Sequence, residues 1–227
     1  MKILILEDEN DLRETIVGFL EEEGFLCEQA STLELAIEKL DLYEYDCLLV
    51  DIGLPDGNGL ELIKRLKIKH PDTGIIIISA RNSFDDKVIG LDIGADDYLS
   101  KPFNLTELNS RIKSVYRRLK LHGKKELVFG QLRIIPEYHQ VFAKNEPIVL
   151  TKKEFDLLLY FVSNPKRVLT KESIAEHIWG DFADSANSFD FVYSQIKNLR
   201  KKLLERTGVD YLRNVYGTGY SFNLYEE

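Results

Sequence analysis

The sequence predicts two domains in series, an α/β unit built on a parallel sheet and then a smaller α+β unit. Three observations predict this. In the first hundred residues, near-continuous apolar runs (Ile3-Leu4-Ile5-Leu6, Cys47-Leu48-Leu49-Val50 and Ile75-Ile76-Ile77-Ile78) alternate with segments of helical periodicity. Beyond residue 120 the apolar runs shorten and are broken by Gly130, Pro136, Asn145 and Pro147. Charge divides at the same place: residues 1–120 carry 24 acidic against 15 basic side chains, and residues 121–227 carry 14 against 15.

Lys2–Leu6 reads as the first strand. Asp11–Glu23 reads as a helix with Leu12, Ile16, Phe19 and Leu20 on one face, stopped by Gly24. Phe25–Ala30 is the second strand, and Ser31 caps a helix running to about Leu40. Cys47–Asp51, Ile75–Ser79 and Asp97–Ser100 are further strands, with helices at Leu60–Lys69 and Ser83–Ile93 between them. Asn104–Leu119 is the last helix of this half, capped by Asn104. Five such units imply a parallel sheet covered on both faces, in the flavodoxin-like layout. The basic stretch at residues 120–125 reads as a linker between domains at 1–119 and 126–227.

In the second half, Leu127–Val149 suggests a small antiparallel sheet. Thr151-Lys152-Lys153-Glu154 forms a capping box before a helix, and Thr170 opens another that ends near Trp179-Gly180. Ser188–Glu205 is a third, longer helix, and Tyr211–Tyr225 holds a hairpin around Gly217-Thr218-Gly219. Sheet, three helices and terminal hairpin outline a winged helix-turn-helix.

Composition narrows the function. No apolar stretch approaches the roughly 20 residues of a membrane helix. Met1-Lys2-Ile3 runs straight into a strand with no export signal, so a cytoplasmic protein without membrane contact is expected. Cys27 and Cys47 are expected to be buried thiols, a disulfide being the alternative. A net charge of −8 argues against bulk nucleic-acid binding, so any such contact must come from a local basic surface.

Asp51 ends the second of those apolar runs; Glu7-Asp8 follows the first, Ser79 the third, and Lys101-Pro102 the short strand at residues 97–100. In an open α/β sheet the carboxyl ends of the strands are where ligands bind. Mg²⁺ would offset the repulsion among Glu7, Asp8 and Asp51, with the Gly53 carbonyl adding one oxygen. Asp51 could then act as a nucleophile toward a phosphoryl group, with Lys101 neutralising its oxygens and Ser79 donating a hydrogen bond.

Taken in order, Glu7-Asp8, Asp51, Ser79 and Lys101-Pro102 resemble the acidic pair, phosphoacceptor aspartate, switch hydroxyl and lysine of two-component response regulator receiver domains. The run from Gly94 to Phe103 is similar to the OmpR/PhoB subfamily, and the resemblance covers nearly the whole chain. It implies that a sensor histidine kinase donates phosphate to Asp51, after which Ser79 moves toward the phosphoryl oxygens and Tyr98 turns inward. It also implies a homodimer on activation, with Lys87 pairing with Glu107, and Asp96 and Asp97 meeting Arg111 and Arg118 across a two-fold axis. Glu7 departs from the commoner Asp and is expected to reach the metal through water.

On Ser188–Glu205, Val192, Ile196, Leu199 and Leu203 recur at core spacing, while Ser194, Gln195, Lys197, Asn198, Lys201 and Lys202 lie elsewhere on the surface. Leu199-Arg200-Lys201-Lys202-Leu203 resembles the end of the subfamily's recognition helix, which enters the major groove of double-stranded DNA. Gln195 and Asn198 are then candidates for base edges, and Lys197, Lys201 and Lys202 for phosphates. In the wing, Tyr216 and Ser221 stand where the subfamily often has arginine, leaving Arg213 and Thr218 as backbone contacts. RNA polymerase is a further candidate partner.

The loop Glu7-Asp8-Glu9-Asn10 would repel the phosphate of a flavodoxin-type cofactor, and Gly53 stands where a dehalogenase-type phosphatase has its second Asp. These exclusions favour a phosphoryl group that stays attached, hence a switch rather than an enzyme. A regulator that binds DNA without phosphorylation is the main alternative, and a phosphohydrolase a more distant one.

Overall fold

The computed structural model describes residues 1–80, 84–165, 167–180 and 188–223, and divides into two compact units, Met1–Gly123 and Lys124–Glu227. The first unit runs β1 (Lys2–Leu6), α1 (Asn10–Glu22), β2 (Leu26–Ala30), α2 (Leu33–Leu42), β3 (Cys47–Asp51), α3 (Gly59–Lys69), β4 (Gly74–Ser79), α4 (Phe84–Asp92), β5 (Asp97–Ser100) and α5 (Leu105–Lys120). All five strands are parallel, in the order β2-β1-β3-β4-β5.

The central strands are apolar throughout because both faces of the sheet are covered. Ile3, Ile5, Leu49, Ile76 and Ile78 pack against Ile16 and Leu20 of α1 and Leu108 and Ile112 of α5. Their neighbours Leu4, Leu6, Leu48, Val50, Ile75 and Ile77 point the other way, onto Ala36 and Leu40 of α2 and Leu62, Ile63 and Leu66 of α3. Since β1 lies between β2 and β3, the strand order reverses there, and a crevice is expected at the carboxyl ends of β1 and β3.

Local signals hold with small shifts. Asn104 caps α5 as expected, its side chain accepting from Thr106 N–H at 2.7 Å. The cap of α2 is Thr32 rather than Ser31: the Thr32 hydroxyl accepts from Leu35 N–H, one residue along. Helix α5 continues to Lys120 and Leu121 is buried, so the first unit reaches into the expected linker because an apolar side chain is available to hold it. Ser83, the expected start of the fourth helix, lies outside the described residues. Among the described residues no helix is long and apolar enough to cross a membrane.

Cys27 and Cys47 are both free. In the register Ile3 pairs with each, on opposite sides, so they are two strand spacings apart, about 10 Å, too far for a disulfide. Burial pushes the Cys27 thiol up to about 12 and that of Cys47 up as well, so both are inert apolar side chains.

At the other end of β1 from the crevice, Lys2 is fully buried. Its ammonium pairs with Glu28 of β2 at 2.8 Å and lies over the rings of Tyr43 and Tyr45. Tyr45 Oη donates to Glu28 at 2.5 Å, and Lys39 reaches the same carboxylate at 3.2 Å.

The second unit opens with a four-stranded antiparallel sheet, β6 (Leu127–Phe129), β7 (Leu132–Ile135), β8 (Gln140–Ala143) and β9 (Glu146–Pro147). Helices α6 (Lys152–Ser163), α7 (Lys171–Trp179) and α8 (Ser188–Thr207) follow, then the hairpin β10 (Leu212–Val215) and β11 (Gly219–Phe222). Tyr225, in the expected hairpin segment, lies outside the described residues. The capping box at α6 forms: Glu154 N–H donates to Thr151 Oγ1 and Thr151 N–H to Glu154 Oε2. The hairpin is fastened to the α6–α7 connection by paired backbone bonds between Leu169 and Tyr220, at 2.7 and 2.9 Å. A Cβ at Gly219 would lie 2.1 Å from the Leu169 carbonyl, so only glycine allows this approach.

Candidate functional site

The ends of β1, β3 and β5 bring Glu7, Asp51 and Lys101 into one contact. The Lys101 ammonium lies 2.7 Å from Glu7 Oε2 and 2.6 Å from Asp51 Oδ2. The other Asp51 oxygen accepts from Gly53 N–H at 2.6 Å. Both carboxylates are buried, Glu7 at 2 % and Asp51 at 7 % exposure, while Asp8 is exposed at the rim. Glu7, Asp8 and Asp51 each present an oxygen within 4.8 Å of the others.

The electrostatics follow from burial. Desolvation raises the Glu7 carboxyl above its ordinary value; the bonds to Lys101 oppose this, and the charge of Asp51 reinforces it. Burial alone would lower Lys101, but its two carboxylate partners outweigh that and hold the ammonium above its usual range. The pocket is therefore a charged triplet in which Lys101 occupies the place of a counter-ion. Three converging carboxylates with a cation already among them suit a hard divalent ion, and Glu7, Asp8, Asp51 and the backbone at Gly53 are the groups that could hold it.

Ser79 is buried at the end of β4, one strand from Asp51, and Lys101 N–H donates to its carbonyl at 2.8 Å. The Lys101-Pro102 peptide is cis. The Tyr98 ring is turned in, among the buried residues of the α2–α3 face. Gly90 of α4 makes the space, since a Cβ there would lie 2.7 Å from Ile77 Cδ1 and 3.2 Å from the Tyr98 ring.

Sequence reasoning missed the tie that holds the Asp51 loop. Asp56 Oδ2 accepts from the free N–H groups of Leu33 and Glu34, at 2.7 and 3.4 Å, and so braces the β3–α3 loop against the first turn of α2. The partners are more than 20 residues apart, so no local pattern announces them.

The charged set around β5 and α5 is satisfied within one chain. Arg111 grips Asp97 through bonds of 2.9 and 3.0 Å and Glu107 at 2.7 Å. Asp96 is held by Lys67 at 2.7 Å and by Arg118 at 3.3 Å. Lys87 is half-buried on α4 and, among the described residues, makes no ion pair with Glu107. Arg81, which follows Ser79 by two residues, lies outside the described residues.

In the second unit Val192, Ile196, Leu199 and Leu203 of α8 are buried, as their spacing predicts. Ser194, Lys197, Asn198 and Lys201 are exposed together and Gln195 is half-buried. Lys202 departs from its expected place on phosphate. Its ammonium reaches inward to the buried Glu154 of α6 at 2.6 Å and to the Val149 carbonyl at 3.1 Å, because a buried carboxylate demands a counter-ion. Arg200 pins the far end of α8 through a two-pronged pair with Asp210. Lys202→Met is expected to destabilise the second unit by about 1.5–3 kcal/mol, whereas Lys201→Met stays within about 0.5 kcal/mol; urea unfolding of the full chain measures both.

On the hairpin, Arg213 and Thr218 are exposed and Tyr216 is 99 % exposed at the turn. Trp179 is half-buried with Lys153 over its ring at 4.6 Å, consistent with a packing role.

Comparison with known proteins fits both units. Residues 3–113 match the family described as "Response regulator receiver domain", and residues 145–222 match "Transcriptional regulatory protein, C terminal". The chain is 37 % identical over 226 residues to the phosphate regulon transcriptional regulatory protein PhoB of Escherichia coli, covering 98 % of this chain and 97 % of the relative. It is 35 % identical to the transcriptional regulatory protein BasR of the same organism over the full length of both. A CheY-like receiver domain from Methanospirillum hungatei shares 30 % identity at a TM-score of 0.52, covering 54 % of this chain and 98 % of that one. A parallel-sheet unit with an acid–lysine pocket, joined to a winged helix and matched end to end by such regulators, places this chain in the OmpR/PhoB-type response regulators, a family of transcriptional regulators rather than enzymes.

Proposed function

We propose that the chain is switched by phosphorylation of Asp51, taking the phosphoryl group from the phosphohistidine of a sensor histidine kinase. The observation that carries this reading is the placement of the Lys101 ammonium between Glu7 and Asp51 at the point where the strand order reverses. In the transfer an Asp51 oxygen attacks phosphorus, the P–N bond of the donor breaks, and the imidazole leaves with the bonding pair. Asp8, Asp51, the Gly53 carbonyl and Glu7 (directly or through water) would hold Mg²⁺, which would supply positive charge to the transferring oxygens. Lys101 exchanges Asp51 for the phosphoryl oxygens, and Ser79 donates its hydroxyl to them. Gly53 offers no proton shuttle, which supports a lasting adduct over turnover.

Dimerisation then uses the α4, β5 and α5 surface. Asp96, Asp97, Glu107, Arg111 and Arg118 already have partners within one protomer, so a dimer exchanges internal pairs for pairs across the axis, and Lys87 gains Glu107. The Arg111–Glu107 and Arg118–Asp96 pairs reach solvent, and such pairs are worth under about 1 kcal/mol each, so exchanging them is near neutral and easily tipped by a local charge. The paired domains read promoter DNA in the cytoplasm, with Gln195 and Asn198 at base edges, and Ser194, Lys197, Lys201, Arg213 and Thr218 on the backbone. Lys202 is reassigned to holding α8 in place. RNA polymerase is the further partner of such a complex.

The alternative reading is a regulator whose DNA binding needs no phosphoryl group. Acetyl phosphate with Mg²⁺ separates the two. Under the first reading intact mass rises by one phosphoryl group and light scattering moves from monomer to dimer. A dimer present before the donor is added supports the second, and no mass increment defeats the first.

A further inference from the structure

We infer that Arg13 is a positioning residue for the metal site, fixing the loop that carries Glu7 and Asp8 and thereby setting the affinity of the acid cluster for a divalent cation. This rests on the acceptor-site reading above.

The physical problem lies where β1 ends. Its ladder with β3 stops at Leu6–Val50 and its ladder with β2 at Leu6–Ala30, beyond which Glu7 N–H still reaches the Ala30 carbonyl. Glu7 is buried, so its carbonyl needs a donor that the strands no longer provide. Arg13, one turn into α1, supplies it. Nη1 donates to the Glu7 carbonyl at 2.7 Å and, more weakly, to the Asp8 carbonyl at 3.4 Å. Nη2 donates to Asn10 Oδ1 at 2.6 Å, and Nε to Gln29 Oε1 of β2 at 3.3 Å.

One guanidinium thus gathers acceptors from the acidic loop, the start of α1 and β2. Its planar fork suits this in a way that a lysine's single point charge does not. Of the loop's other ties, Lys101 holds the Glu7 carboxylate rather than the backbone, Arg13 N–H donates to the Glu9 carbonyl at 2.9 Å, and Glu9 N–H to Glu7 Oε1 is long at 3.4 Å. With both carbonyls directed at Arg13, the backbone at residues 7 and 8 is set, and their carboxylates converge on Asp51 within 4.8 Å. Groups that orient metal ligands from behind typically contribute about 10–100-fold to affinity when removed.

The test is Mn²⁺ binding to the full chain, followed by the electron paramagnetic resonance of free Mn²⁺, with Mg²⁺ as competitor. R13Q is expected to weaken Mn²⁺ by about tenfold, with R13K intermediate, while the thermal midpoints in EDTA stay close to wild type. R13Q affinity equal to wild type would overturn the inference, whatever the midpoint does. If R13Q fails to fold, R13K decides, and wild-type affinity there overturns it equally. A wild-type chain that binds no Mn²⁺ would sink the acceptor-site reading itself, and this inference with it.

Discussion

Asp51→Asn ends phosphoryl uptake and leaves the first unit folded. The amide keeps the size of the carboxylate, its one oxygen can keep the bond from Gly53 N–H while Lys101 retains Glu7, and it is not a nucleophile toward phosphorus. It also removes one of two buried negative charges that share Lys101, so metal-free stability is not expected to fall. Intact mass after acetyl phosphate and Mg²⁺ is expected to show one added phosphoryl group for wild type and none for the variant. DNA binding extends the result: on a duplex selected from random sequence by the wild-type chain, the variant should match unphosphorylated protein. If it binds as tightly as the phosphorylated wild type, phosphate on Asp51 is not what controls this regulator.

The largest effect on stability is expected at the opposite end of β1, far from any proposed chemistry. Glu28→Met removes the carboxylate that faces the fully buried Lys2 ammonium at 2.8 Å and accepts from the Tyr45 hydroxyl at 2.5 Å. Breaking a buried pair from one side costs about 3–5 kcal/mol. Restoring neutrality with Lys2→Met in the same chain should recover most of the loss, because two apolar side chains carry no desolvation penalty. Unfolding of the two single variants and the double variant measures the coupling.

The same pair gives a pH signature. Burial would raise the Glu28 carboxyl, but Lys2, Tyr45 and Lys39 outweigh it and hold it below its ordinary 4.5. A folded value below the unfolded one means the stabilisation is complete above pH 4.5 and fades as pH falls beneath it. Acid unfolding of wild type below that pH should be steeper than that of the double Met variant.

Much of the candidate site was legible beforehand for a definite reason. Glu7, Asp51, Ser79 and Lys101 each follow an apolar run, and a parallel sheet places all such ends on one edge. Asn104 and the Thr151–Glu154 box were equally legible, because a cap and its acceptor lie within one turn. Lys202 was misplaced by the same logic. Its position on α8 marks it as surface, yet its stem is long enough to turn back to Glu154, 48 residues earlier. The room for the Tyr98 ring was not legible either, because it depends on Gly90 lacking a side chain on a different element.

From the amino-acid order alone came the two-domain plan, the alternation that makes the parallel sheet, and the chemical type of each group delivered to its edge. These rest on periodicity and on spacing within a few residues, which a chain expresses wherever it folds. Only the tertiary structure decided which charges meet: Lys101 with Glu7 across 94 residues, Arg111 with Asp97, Lys67 with Asp96, Asp56 with the start of α2, and Arg13 with the acidic loop. A long charged side chain can reach many partners, and packing selects among them by removing water and fixing distance.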